Sequence, residues 1–170
     1  PIPPYLQRKV SALDGETYQT VFASQQGSVA APTAGLHFTP QVMQQLLEKK
    51  HKVYFSTLHV GAGTFKTVTT SFAHEHAMHS EWVEVDTELI YTLAAPNPVV
   101  VVGTTSLRTV ESVYWYAVYH QHKNLSDETF VLPQFFPYTN ASAESKSALL
   151  FALADKLKEQ GKSKLVFKTA

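Results

Sequence analysis

Val99-Val100-Val101-Val102-Gly103-Thr104-Thr105-Ser106-Leu107-Arg108-Thr109-Val110-Glu111-Ser112 (VVVVGTTSLRTVES) sets the fold class expected of this chain. Four consecutive valines are the signature of a strand buried on both faces. Gly103-Thr104-Thr105 then turns the chain into a helix, expected from about Ser106 to Gln121. Its inward stripe is Leu107, Val110, Val113, Tyr114, Ala117 and Val118, at helical spacing. In such a strand–loop–helix unit Thr104 or Thr105 can cap the helix, which leaves N–H groups aimed at an anion or a polar ligand edge. Arg108 falls in the first turn, where a positive charge opposes the helix dipole, so a carboxylate or a ligand must compensate it. Glu111, three residues on, is close enough to pair with Arg108. An ordinary surface ion pair, contributing about 0–1 kcal/mol, is the plain reading, and a ligand role stands beside it.

Outward from this stretch the pattern alternates. Pro1–Asp14 is proline-rich and expected extended. Tyr18–Ala23 is a short strand candidate. Thr39 caps a helix with Pro40 at its first position, and Val42, Met43, Leu46 and Leu47 form one buried stripe. Lys52–Leu58 and Ala77–Asp86 read as strands, and Thr87–Ala94 as a short helix stopped by Pro96 and Pro98. Phe130–Leu132 is a further strand candidate, and Phe135–Asn140 an aromatic loop. Ala143–Gln160 is an amphipathic helix ended by Gly161. Strand–helix alternation of this kind predicts an α/β fold with a mostly parallel sheet flanked by helices.

Composition narrows the function classes. The chain has 170 residues, 44% of them hydrophobic, which is enough for a real core and most economically one domain. Fourteen basic and fourteen acidic residues cancel, so no basic stripe advertises a nucleic-acid surface and any RNA contact must be local. There is no cysteine, which excludes disulfides and thiolate metal sites and fits a reducing cytosol. No apolar run approaches the roughly 20 residues of a membrane helix. The first residue is Pro1 rather than an initiator Met, and KSKLVFKTA stops where a strand-like LVF has begun, so both ends read as cut.

Three loops rich in glycine, threonine and histidine carry the candidate chemistry: Gly27–Phe38, Thr57–Val68 and Val102–Ser112. Glycine-rich loops lose much backbone entropy on folding and bury little apolar area, so three of them point to a site rather than a core. In parallel α/β folds ligands bind beyond the carboxyl ends of strands, where these loops are expected. Gly61-Ala62-Gly63 is not a dinucleotide fingerprint, because the third glycine is missing and Phe65–Val68 looks extended. His59 stands just before it and His37 holds the same relation to Gly35; a histidine at a strand end beside bare backbone can serve as acid, base or anchor. In HEHAMHSEW, His74, His76 and His79 suggest a metal, but no further ligand follows at a recognised interval. Period-two alternation gives the better reading: His79 and Glu81 share one strand face with Val83 and Val85, as an acid–base pair or a satisfied surface pair.

Taken in order, PIPPYLQR, YQTVFA, GSVAAPTAGLHFT, TLHVGAGTF, H-x-MHSEW and VGTTSLRTVES resemble the S-adenosylmethionine:tRNA ribosyltransferase-isomerase family of queuosine biosynthesis. The resemblance covers most of Pro1–Ser112 and weakens beyond it. It implies a bacterial, cytoplasmic enzyme that moves the ribosyl group of S-adenosylmethionine onto the aminomethyl-deazaguanine wobble base in the tRNA anticodon loop. The product is epoxyqueuosine, S-adenosylmethionine is a co-substrate, and no further cofactor and no membrane are involved. It also implies a longer parent with an inserted β-barrel domain, so that residues 1–170 form one α/β domain from the middle of a larger distorted α/β barrel-like catalytic domain, inactive in isolation. Lys66-Thr67 departs from the family's usual Arg-Pro, and Tyr114–Asn140 is divergent. A non-catalytic paralogue that binds a nucleoside or RNA is the alternative, with a histidine-dependent metallohydrolase third. Within the enzyme reading the acid–base candidates are His59, His79 and Glu81. Arg108 with the Thr104-Thr105 backbone would hold a carboxylate, supported by Glu111. His37, Gly61, Gly63 and Thr64 would lie against the ribose or base.

Overall fold

The computed structural model describes residues 11, 19–24, 28, 30–65, 67, 69–125 and 127–170. The expectations for Pro1–Asp14 (all but Ser11), Tyr18, Gly27, Val29, Lys66 and Val68 lie outside the described residues. Five helices are described: α1 (Pro40–Glu48), α2 (Thr87–Ala94), α3 (Thr104–Tyr119), α4 (Phe136–Thr139) and α5 (Lys146–Glu159). The strands are β1 (Ser56–His59), β2 (Glu81–Asp86), β3 (Val131–Leu132) and β4 (Lys164–Thr169). Single 3₁₀ turns occupy Thr33–His37, Ala62–Phe65 and Ala73–Glu75.

Local chemistry accounts for most boundaries. Thr39 Oγ1 accepts from Val42 N–H at the start of α1, and Ser145 Oγ accepts from Ala148 N–H at the start of α5, each satisfying an otherwise orphaned donor. Gly161, at φ 68°, ends α5 in the left-handed region that favours glycine. Residues 19–23 hold a turn rather than the expected strand.

The strands form one sheet in the order β1-β2-β4-β3. β1 with β2 and β2 with β4 are antiparallel, and only β3 with β4 is parallel. The sheet is therefore mixed and mostly antiparallel, not mostly parallel, and it does not form a barrel among the described residues. Two things overturn the expectation. β4 returns between β2 and β3, which places an antiparallel neighbour at the centre. The valine run 99–102 forms no strand, with Val99 45% and Val100 90% exposed. A strand exists only through a ladder partner, and four β-branched residues supply propensity without one.

α2, α3 and α5 cover one face of the sheet. Their Ile90, Leu93, Val113, Tyr116, Leu150, Leu153 and Leu157 close on Val83, Val85, Leu165 and Phe167. The opposite face is more open, carrying Trp82 with Lys168 Nζ 4.5 Å from its ring centroid and the Lys164–Glu84 ion pair. The stripe of α1 is a correction: no residue of α1 is buried, and Leu47 stands exposed. Amphipathic spacing states which side needs cover, not that cover is present. Leu107, expected inward on α3, is also exposed. No helix among the described residues is long and apolar enough to cross a membrane.

Candidate active site

The three loops meet. Ser28 Oγ accepts from Val60 N–H at 3.1 Å, tying the first loop to the second. A β-carbon built on Gly103 would lie 3.5 Å from Ala34 Cβ, so the third loop rests against the first. Between them, at the start of β2, lies a group of three charged or titratable side chains.

Glu81 is the centre of this group. It opens β2 on the core face, paired in register with Thr169 of β4, and its side chain is only 3% exposed. One carboxylate oxygen, Oε2, accepts from Arg108 Nη1 at 2.7 Å, and the other, Oε1, meets His79 Nε2 at 2.8 Å. Arg108 Nη2 also donates to the Thr169 carbonyl at 3.3 Å, and Ser112 Oγ donates to Thr169 Oγ1 at 3.0 Å. The third loop is thereby joined to the strand pair that carries Glu81.

Burial decides what these contacts are worth. An exposed ion pair contributes about 0–1 kcal/mol, whereas a buried carboxylate that loses its cation costs about 3–5 kcal/mol. With Glu81 buried, Arg108 and His79 are held against it firmly. Both keep partial contact with solvent, 30% and 26% exposed, so they can also reach a ligand.

The pairing fixes the histidine's chemistry. A carboxylate accepts only, so Nε2 donates to Glu81, and in the neutral form of the ring the lone pair is then on Nδ1. Nδ1 lies along the second loop: a β-carbon built on Gly63 would sit 2.6 Å from His79 Cγ and 2.7 Å from Nδ1. Gly63 therefore makes room for the His79 ring, where the sequence suggested approach to a ribose or base. Gly61 is looser, its would-be β-carbon 3.9 Å from His79 Cδ2.

Of the candidates read from sequence, the fold brings together His79, Glu81, Arg108 and Gly63, with Gly61 adjacent. His79 and Glu81 meet as the alternation expected, although the strand expected over Ala77–Asp86 begins only at Glu81. Arg108 pairs with Glu81, 27 residues away in sequence, instead of with Glu111, which is exposed on α3. His59 ends β1 opposite Trp82, on the other face of the sheet from Glu81. His37 ends the first 3₁₀ turn and is exposed, as is Thr64, whose N–H donates to the Gly61 carbonyl. Neither Thr104 nor Thr105 caps α3. Gly103 does so without a side-chain bond, Thr104 is exposed, and the Thr105 carbonyl accepts from Thr109 Oγ1.

His74 stacks on Phe72, and no three metal-ligating side chains gather among the described residues. Ser112, Thr169 and Gln134 were not singled out from sequence. Their contacts span 56 to 61 residues, and no local spacing signals them.

Three comparisons bear on this arrangement. The model of the family described as queuosine biosynthesis protein matches residues 1–142. The S-adenosylmethionine:tRNA ribosyltransferase-isomerase of Dichelobacter nodosus (strain VCS1703A) is 48% identical over 116 residues, 66% of this chain and 33% of that relative. The chain thus spans about a third of the length of that relative. No solved structure matches the chain.

Proposed function

The chain belongs to the queuosine biosynthesis protein family, and from that premise we propose that it supplies the acid–base part of a tRNA ribosyltransferase-isomerase site. The reaction moves the ribosyl group of S-adenosylmethionine onto the aminomethyl-deazaguanine wobble base in the tRNA anticodon loop. It gives epoxyqueuosine with release of adenine and methionine, in the cytoplasm where tRNA is modified. The observation that carries this reading is the buried Glu81 holding His79 and Arg108 together where the three loops meet.

The geometry supports a role for each. The positive sulfur of S-adenosylmethionine acidifies the adjacent carbon, and a base must take that proton. His79 Nδ1 is the group suited to it, because Nε2 is committed to Glu81. Glu81 itself, with each oxygen engaged by a nitrogen donor and nearly sealed from solvent, orients the pair instead of meeting substrate. Arg108 offers five donors, two of them used by Glu81 and Thr169, so the remaining ones can hold a carboxylate or a ribose hydroxyl. His59 lies on the other sheet face and has no part in this step.

The test is adenine release from S-adenosylmethionine by the full-length protein containing this sequence, with tRNA bearing the precursor base. Release is expected, and His79→Ala should lower its rate by about 10²-fold or more, as for loss of a catalytic acid–base group. S-adenosylmethionine binding without release, in a correctly folded protein, would favour the non-catalytic alternative and sink the enzyme reading.

A further inference from the structure

The loop after β3 reaches back to the candidate site through one side chain. Gln134 Oε1 accepts from Met78 N–H at 3.0 Å, and Gln134 Nε2 donates to the His76 carbonyl at 3.1 Å. Both bonds fall on the three residues that lead into His79. The last rung between β2 and β4 is Glu81↔Thr169, so this approach segment lies upstream of the ladder. One amide gives it a donor and an acceptor, as a neighbouring strand would. Gln134 is itself fixed from behind, because Leu132 pairs with Thr169, the residue whose carbonyl receives Arg108.

We propose that Gln134 is a positioning residue for His79: its side-chain amide clamps His76–Met78 and so holds the imidazole between Glu81 and Gly63. The clamp acts on the backbone one residue before the ring. Without it, the backbone leading into His79 loses its two bonds to the loop after β3, and the ring keeps only its bond to Glu81 and its packing on Gly63 to direct Nδ1. A misplacement of about 1 Å can cost roughly 10²-fold in rate. This inference rests on the proposed role of His79 and adds a residue from the part of the chain that the family resemblance left divergent.

A double-mutant cycle on adenine release in the full-length protein separates positioning from general stabilisation. Gln134→Ala should lower kcat by roughly ten- to 10²-fold while leaving KM for S-adenosylmethionine nearly unchanged. In a His79→Ala background the same change should cost little more, because the residue it serves is gone. Tyr138→Ala, an exposed change on the adjacent α4, should leave the rate alone. An unchanged kcat in Gln134→Ala, or an equal loss in both backgrounds, would overturn the proposal. If the wild-type protein shows no turnover, the functional reading fails and the clamp is judged by nitrogen-15 NMR of the His79 ring. Nε2–H should be the single protonated form in wild type and a tautomer mixture in Gln134→Ala; the same signals in both proteins would refute the clamp.

Discussion

Position 63 shows how far a single hydrogen atom can matter. An added β-carbon there would overlap His79 Cγ and Nδ1 at 2.6 and 2.7 Å and touch its Cβ at 3.0 Å, so the ring or the loop must move. The ring is also tied to a buried carboxylate, which leaves it little freedom to move without breaking that bond. Gly63→Ala should therefore reduce adenine release by the full-length protein about as severely as removing the base, on the order of 10²-fold. Gly61→Ala, whose new atom meets His79 Cδ2 at an ordinary 3.9 Å, should leave the His79 ring signals where they are in NMR. Equal damage from the two substitutions would refute this account. At this scale the sequence was informative wherever contacts are local. Period-two alternation expected His79 beside Glu81, and the two side chains do meet, although β2 begins only at Glu81 and His79 lies just before it. It misassigned the partner of Arg108, because helix spacing offers only Glu111, whereas the actual carboxylate arrives from a strand.

Among the elements, α2, α3 and α5 lie close to where sequence periodicity put them, since capping and apolar spacing act within a few turns. The start of α3 holds a feature the sequence only hinted at. Gly103 sits at φ 88° and ψ 152°, a conformation that is essentially glycine-only, and its backbone rests against Ala34. Gly103→Ala should cost about 1–3 kcal/mol of stability in urea unfolding of this chain. A substitution within a few tenths of a kcal/mol of wild type would show that the loop adapts freely. The valine run before it is the clearest failure of element-level reading. Val99–Val102 has every strand propensity and no ladder, since pairing is decided by what lies alongside and not by the segment. The α1 stripe failed for the same reason, being apolar on one side with none of its residues buried.

Across the whole molecule, the core between the helices and the sheet imposes its own pH dependence. His120, after the end of α3, is stacked on Tyr116 with ring centroids 4.1 Å apart and packed edge-on against Phe130. Burial pushes its pKa below the ordinary 6.5, with the nearby Lys123 and Lys156 charges acting in the same direction, against the opposing bond to the Tyr116 carbonyl. Above the unfolded value both states are neutral and the full stability is present. As the pH falls below it the unfolded chain takes up a proton that the folded chain resists, so stability is lost until the lowered folded value is passed. The urea midpoint should accordingly fall more in wild type than in His120→Gln between about pH 7.5 and about pH 5; equal falls would remove His120 as the cause. The sequence by itself determined the positions of α2, α3 and α5, the meeting of His79 with Glu81 and, through the order of its motifs, the family. These depend on neighbours within a few residues or on long ordered motifs. Only the tertiary structure decided the mixed sheet with β4 at its centre, the pairing of Arg108 with Glu81, the role of Gly63 against His79 and the Gln134 clamp. Each of these joins residues far apart in the chain, and the free energy that selects them comes from burial and hydrogen-bond partners that exist only once the chain has closed on itself.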